Sequence, residues 1–372
     1  MRTPLCDRLG IRYPIFAFSA APKVVAAVSR AGGLGVLGAV GYNVEQLRAA
    51  MDEVEAHADG KPYGVDIVLP AKYVSAGSAD AADYEKYIPA QHRAFLEGLL
   101  EKHQVPKLPD GQTSWHALLA WTEETSRPQV ELVLERNVAL LASALGAFPE
   151  DIIEAAHAKG MLVAAMTGSV KHALKQVAAG VDIIVAQGTE AGGHCGEIAS
   201  MVLVPEVVDA VGDVPVLAAG GIGCGRQAAA ALALGAQGIW TGSIWLTAAE
   251  SDVKDVLKQK LLNASSSDTV RSKALTGKPA RQLRTAWSDA WDAAENPDPL
   301  PVPLHFVLTA EATTRIHQSA LANPDGPGTA LLTSPVGQIV GRMQSIEPAE
   351  EIVARLVREF GEAARHIAQV AG

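Results

Sequence analysis

The chain has 372 residues, 48% of them apolar and 19% charged, with a formal net charge of −10. That is long and apolar enough for a large buried core, which excludes a disordered chain. The acidic balance is spread along the sequence and excludes nucleic-acid binding through a basic face.

Cys6, Cys195 and Cys224 are far apart and form neither a disulfide framework nor a metal motif, which suits a reducing cytoplasm. The amino terminus lacks the apolar core of a signal peptide, and no run approaches ~18 uninterrupted apolar residues. A cytoplasmic protein without a membrane span is therefore expected.

In chain order, Tyr13–Ser19 reads as a first strand with Pro14 at its edge. Pro22 opens a helix through Ala31, where its missing N–H costs nothing. Leu34–Leu37 is a second strand, and Asn43 caps a helix over Val44–His57. Tyr63–Leu69 is a third. Residues 70–136 then interrupt the rhythm with an amphipathic run at Tyr84–His103, a Pro/Gly break, and further runs at Trp115–Thr125 and Val130–Arg136. Such a length is unnecessary for a βα loop, so it reads as a helical insertion over the C-terminal face of a barrel, a lid.

The alternation then resumes with strands at Val138–Ser143, Met161–Met166, Val181–Ala186, Val214–Ala219 and Gly238–Thr241. The helices between them close at Gly160, Gly180 and Gly235. The strands are apolar without alternation, as parallel strands buried on both faces are. Eight strands alternating with helices give an α/β fold, a (β/α)8 TIM barrel over residues 1–263 that includes the insertion. Residues 264–372, polar and proline-rich before helical runs at His305–Leu321 and Ile346–Val370, read as a C-terminal helical extension packed on the barrel mouth.

The chemistry concentrates after the sixth, seventh and eighth strands. There the sequence reads AQGTEAGGHCGE, then AAGGIGCGRQ, then TGS. The loops Gly220-Gly221-Ile222-Gly223 and Gly242-Ser243 offer backbone amides where helices begin, which makes a phosphate cradle. GGIGCG does not have GxGxxG spacing and comes seventh rather than first, against a dinucleotide fold. No metal signature and no GxSxG elbow occur. His194, flanked by Gly192 and Gly193, is the candidate acid–base group; the bland alternative is a loop histidine bonded to a carbonyl. Gln187 has an amide suited to a flavin edge, Glu190 reads as a loop brace, and Cys195 lacks an activating base.

AQGTEAGGHCG followed by AAGGIGCGRQAAAALALGAQGIWTGS resembles the nitronate monooxygenase family (2-nitropropane dioxygenase-like). The likeness extends to YPIFAFSAAP at Tyr13–Pro22, GKPAR at Gly277–Arg281 and GQIVG at Gly337–Gly341. It implies FMN in a (β/α)8 barrel and oxidation of alkyl nitronates with O2, His194 being the motif histidine. It also implies flavin contacts from Ala17, Phe18, Ser19, Asp66, Gln187, Gly192, Gly193, Gly220, Gly221, Gly223, Gly242 and Ser243, and no metal. The chain departs from the family at Ala17-Phe18-Ser19-Ala20, where Ala-Pro-Met is usual, and at Asp66, where Asn is usual. One alternative is an NAD(P)H-dependent FMN reductase acting on a quinone or an enoyl thioester. Another is a flavin-binding barrel without turnover. The substrate and the oligomeric state stay open.

Overall fold

The computed structural model describes residues 1–69, 82–109 and 123–371. In chain order the strands are β1 (Ile15–Ser19), β2 (Leu34–Gly38), β3 (Tyr63–Ile67), β4 (Leu140–Ser143), β5 (Leu162–Thr167) and β6 (Ile183–Gln187). They continue with the two-residue β7 (Gly193–His194), β8 (Val216–Ala219) and β9 (Gly238–Thr241). All but β7 form a closed parallel barrel, sealed where Phe16 of β1 pairs with Trp240 of β9. This is the (β/α)8 architecture that the strand–helix rhythm predicts.

The lack of polar alternation has a direct cause. Phe16, Val36, Leu140, Ala164, Val185, Leu217 and Trp240 point inward and pack on one another. Their neighbours Ala17, Val65, Leu141, Val163, Ile184, Ala218 and Ile239 point outward, into the core shared with the helices. Both faces are dry, so both must be apolar. Leu5, Cys6 and Leu9 of the short helix Pro4–Leu9 join the inner cluster. Thr3 beside that helix donates to the carbonyl of Gln237, just before β9. The helix therefore plugs the N-terminal end of the barrel, and the opposite end is left for a site.

Two segments differ from the sequence reading. The run Tyr84–His103 is two helices, Ala82–Glu85 and Ala90–Lys102, separated at Pro89, which lies in extended backbone before the second. Val130–Arg136 belongs largely to the helix Glu123–Leu134, whose Val130, Leu132 and Val133 are buried in the shell between β3 and β4. It is the barrel's own third helix, so the insertion proper ends earlier than residue 136. Most of Trp115–Thr125 lies outside the described residues. The described helix Ala90–Lys102 docks on the tail: Phe95 meets Trp291 edge-on at 4.7 Å, and Arg315 binds Glu97 at 2.9 Å.

The tail holds more than helices. β10 (Thr269–Ser272) and β11 (Ala280–Leu283) form an antiparallel pair, and β11 also pairs with β7, placing Ala280 opposite His194. Four-residue strands of mixed polarity carry no periodic signal; the partner strand, 86 positions away in the chain at that pair, creates them. The last helix, Ala349–Val370, lies against Gly225–Ala233 and against Pro22–Arg30. It thus occupies the eighth place in the ring of helices, rather than lying over the barrel mouth.

Its seat requires a glycine. A β-carbon at Gly225 would lie 2.2 Å from the carbonyl oxygen of Leu356. Gly225→Ala is expected to push the two helices apart and cost about 1–3 kcal/mol, as overpacking does. Urea unfolding measures this, and an unchanged midpoint would refute the close seat.

Candidate active site

At the open end of the barrel lies a cavity of about 520 Å3. Its lining combines Phe18, Ser19, Tyr42 and Trp240, the loop residues Gly192, Gly193, Gly220, Gly221, Gly242 and Ser243, and Ser334, Pro335, Gly337 and Ile339 of the tail. Phe18 and Trp240 lie roughly parallel, ring centroids 6.5 Å apart, and give an aromatic wall.

The loops after β8 and β9 meet beside this wall. Among the described residues, the amides of Gly221, Ile222, Gly242 and Ser243 donate to no backbone or side-chain acceptor. Four undirected amides beside one cavity form a nest for an anion. Gly221 has φ +69°, a left-handed conformation that a side chain would strain. The next amides differ: Gly223 and Cys224 donate to the Gln227 side chain at 2.9 and 3.2 Å, and Gly225 to Glu359 at 2.8 Å. The free donors therefore end at Ile222, and Gly223 serves close packing against Ile339 and Ile244.

Glu190 braces the other loop. Its carboxylate accepts from the Ser200 amide at 3.1 Å and hydroxyl at 2.9 Å, and its carbonyl accepts from Gln338 N at 2.9 Å. Ser243 Oγ accepts from Gly337 N at 2.9 Å, leaving its own proton to donate. The tail segment 334–339 is thus tied to both the histidine loop and the loop after β9. The family motif at Gly337–Gly341 pointed to this segment; nothing pointed to Tyr42, Ser334 or Pro335, which approach only through tertiary packing.

His194 is held one residue behind the cavity wall. Its Nε2 lies 2.8 Å from Thr276 Oγ1. Burial, helped by the nearby Lys278 charge, lowers its pKa, so the imidazole is neutral at pH 7. Gly193 lines the cavity and His194 does not, and a β-carbon on Gly193 would meet nothing within 4 Å. The Cys195 thiol is pushed up by burial against the opposing Arg281 and Arg271 charges and donates weakly to Thr189 O. It stays protonated, which suits no nucleophile.

The remaining predicted residues divide. Ala17 is fully buried in the outer core, so its side chain faces the helices. Gln187 ends β6 without lining the cavity. Asp66 sits on β3 opposite Ala142 and is 3% exposed, and its Oδ2 has no partner among the described residues. Burial pushes its carboxyl up to about 7. No group of three or more His, Cys, Asp or Glu among the described residues is placed to hold a metal.

A nitronate monooxygenase family model matches residues 2–359. The chain belongs to the nitronate monooxygenase family. It is 50% identical over 363 residues to a Mycobacterium tuberculosis protein provisionally named a monooxygenase, covering 97% of this chain and 96% of that one. It is 29% identical, over 96% of this chain and 97% of the relative, to Staphylococcus aureus proteins provisionally named nitronate monooxygenases. Among solved structures it is similar to the nitroalkane oxidase of Streptomyces ansochromogenes (TM-score 0.76, 27% identity, 98% of this chain and 99% of that one). FabK from Thermotoga maritima is similar too (TM-score 0.74, 29% identity, 100% and 99%). The family member described here is a flavin-dependent oxidoreductase. No helix among the described residues is long and apolar enough to cross a membrane.

Asp66 makes stability pH-dependent. Its folded pKa of about 7 exceeds the ordinary 3.8, so between these values the folded protein holds a proton that the unfolded chain has released. Stability from this group is full below about pH 4 and is lost as pH rises through 7. Asp66→Asn removes the effect. The variant should gain thermal stability relative to the native protein from pH 5 to pH 8, and a constant difference over that range would refute the buried carboxyl.

Proposed function

We propose that the cavity binds FMN and that the protein oxidises alkyl nitronates with O2. The observation that carries the cofactor assignment is the nest of four free amides at Gly221, Ile222, Gly242 and Ser243. It suits one terminal phosphate. The Phe18–Trp240 wall suits a flat apolar ring, and the backbones of Ser19, Gly192 and Gly193 supply its polar edge. Asp66 and Gln187 stand at the C-terminal ends of their strands, toward the same end of the barrel. Gly220 lines the cavity and carries the turn; Gly223, already capped by Gln227, supports it without donating.

When bound, FMN supplies the two-electron redox chemistry and the reaction with O2. The protein's share is binding, orientation and proton handling. Burial favours the neutral form of His194, the form that can act as a base near pH 7. For a neutral nitroalkane, the imidazole takes the proton from the carbon beside the nitro group. For a preformed nitronate that proton is already gone, and no base is needed. The apolar walls exclude water from the reacting carbon.

Extraction of the purified protein followed by chromatography is expected to yield FMN; FAD or no flavin would refute the assignment. Gly221→Val should lose the flavin, because it strains the φ +69° turn and sets a side chain 3.3 Å from the Glu190 β-carbon that braces the neighbouring loop. Full occupancy in that variant would move the phosphate elsewhere.

His194→Asn should keep the fold and the yellow colour. General-base catalysis contributes roughly 10²–10⁴-fold, so turnover of a neutral nitroalkane should fall by that order and turnover of a preformed nitronate by less. Equal rates for both proteins on both substrates would remove the base assignment. Anaerobic bleaching by NADH or NADPH, with no response to a nitronate, would select the reductase alternative. Absence of turnover on every substrate would select the non-catalytic one.

A further inference from the structure

The cavity carries charge of one sign. Among the described residues, its lining includes no lysine, arginine or histidine, and Asp252 is its one carboxylate. The other ionisable residue of the lining is Tyr42. Burial first, and the Asp252 and Glu53 carboxylates after it, push this phenol up to about 12, so it is neutral at pH 7. Its hydroxyl donates to the Ala20 carbonyl. Asp252 is exposed, yet its charge is felt at Tyr42 in the cavity wall. It therefore stands at the mouth, with one side to water and one to the cavity.

The loop that holds Asp252 is pinned. It follows the single helical turn Ser243–Trp245, which comes directly after the cradle. Lys258, 5% exposed, donates from Nζ to the Ala248 carbonyl at 2.9 Å. The Ala249 amide donates to the Glu347 carbonyl at 2.9 Å, and the Ala349 amide to the Glu250 carboxylate at 2.9 Å. The Val253 amide donates to Ser251 Oγ. The Asp252 side chain makes no ion pair or hydrogen bond among the described residues. Lys254, two residues on, lines an adjoining groove and not this cavity. The negative charge is thus held in place and has no partner to offset it.

We propose that Asp252 is a specificity-determining residue at the cavity mouth: it disfavours substrates whose chain ends in a carboxylate or phosphate. This rests on the reading of the cavity as the substrate site, and it deepens that reading by naming the substrate class, nitroalkanes or nitronates whose remaining chain is uncharged. A second anionic group would meet Asp252 with no cation nearby to compensate. The repulsion belongs to the site and not to the reaction, so binding reads it without turnover.

The test is calorimetric titration of the protein as purified with hexanamide and with hexanoate, an uncharged and an anionic ligand of nearly the same shape. Hexanamide is expected to bind more tightly, and the ratio of the two affinities should fall about fivefold in Asp252→Asn, the size of one partly screened charge repulsion at a protein surface. Asp252→Glu should keep the native ratio. Salt at about 0.5 M should bring the native ratio toward that of Asp252→Asn, because it screens charge and leaves shape alone. In turnover, two nitronates of equal length are compared, one ending in a methyl group and one in a carboxylate. The ratio of their kcat/KM values should fall about fivefold in Asp252→Asn, the charge that both share cancelling in the ratio. The same amide-to-carboxylate ratio in the native protein and Asp252→Asn, a ratio indifferent to salt, or binding of neither ligand would overturn the proposal. Charge-selective binding without turnover of any nitronate would uphold Asp252 and remove the proposed reaction.

Discussion

The arrangement of the site depends on the contact between two backbones. A β-carbon at Gly192 would lie 2.7 Å from the Gly337 amide nitrogen, and one at Gly337 would lie 2.6 Å from the Glu190 carbonyl oxygen. Neither strand of chain tolerates a side chain at the crossing. The Gln338 amide, donating to Glu190, locks the register. The histidine loop, which the barrel presents as a free βα loop, is thereby clamped between its own strand and the far end of the protein. Gly192 serves this crossing, whereas Gly193 has open space at its β-carbon position.

Charge is handled with similar economy. The loop after β8 begins with amides that have no acceptor and continues with amides satisfied by Gln227 and Glu359. The boundary between them, at Ile222, separates amides left free beside the cavity from amides capped by protein. Were Gly223–Gly225 uncapped, an anion would have two competing positions along the loop. Asp66 works in the opposite sense: it is a carboxyl placed where a charge is penalised, so it is neutral over much of the acidic range.

Much of this was legible in the sequence. The barrel strands were visible because burial on two faces leaves an apolar run, and the helix ends because glycines such as Gly160 and Gly235 take left-handed backbone. The fold and the family could be read from those runs and from the glycine–histidine motif. The tail was less legible. β10 and β11 exist because β7 offers β11 a free edge, which no local pattern encodes. The eighth helix looked like an extension because nearly ninety residues separate the end of the helix Asp255–Leu262 from its start. The division of amides between ligand and protein was hidden too, since Glu359 lies 134 positions from the amide that it caps.

The placement of that last helix has a consequence for how the protein is made. Arg30, at the end of the first barrel helix, pairs with Glu350 at 2.8 Å, across 320 positions of chain. A ribosome has therefore released nearly the whole polypeptide before the first helix meets its neighbour. Until then, the facing sides of Gly225–Ala233 and Pro22–Arg30 stay without their final cover, in a topology whose long-range closure is intrinsically slow. The cavity takes Ser334, Pro335, Gly337 and Ile339 from the stretch just before that helix. Synthesis thus has a built-in order in which the barrel strands are translated first and the ring of helices is completed last.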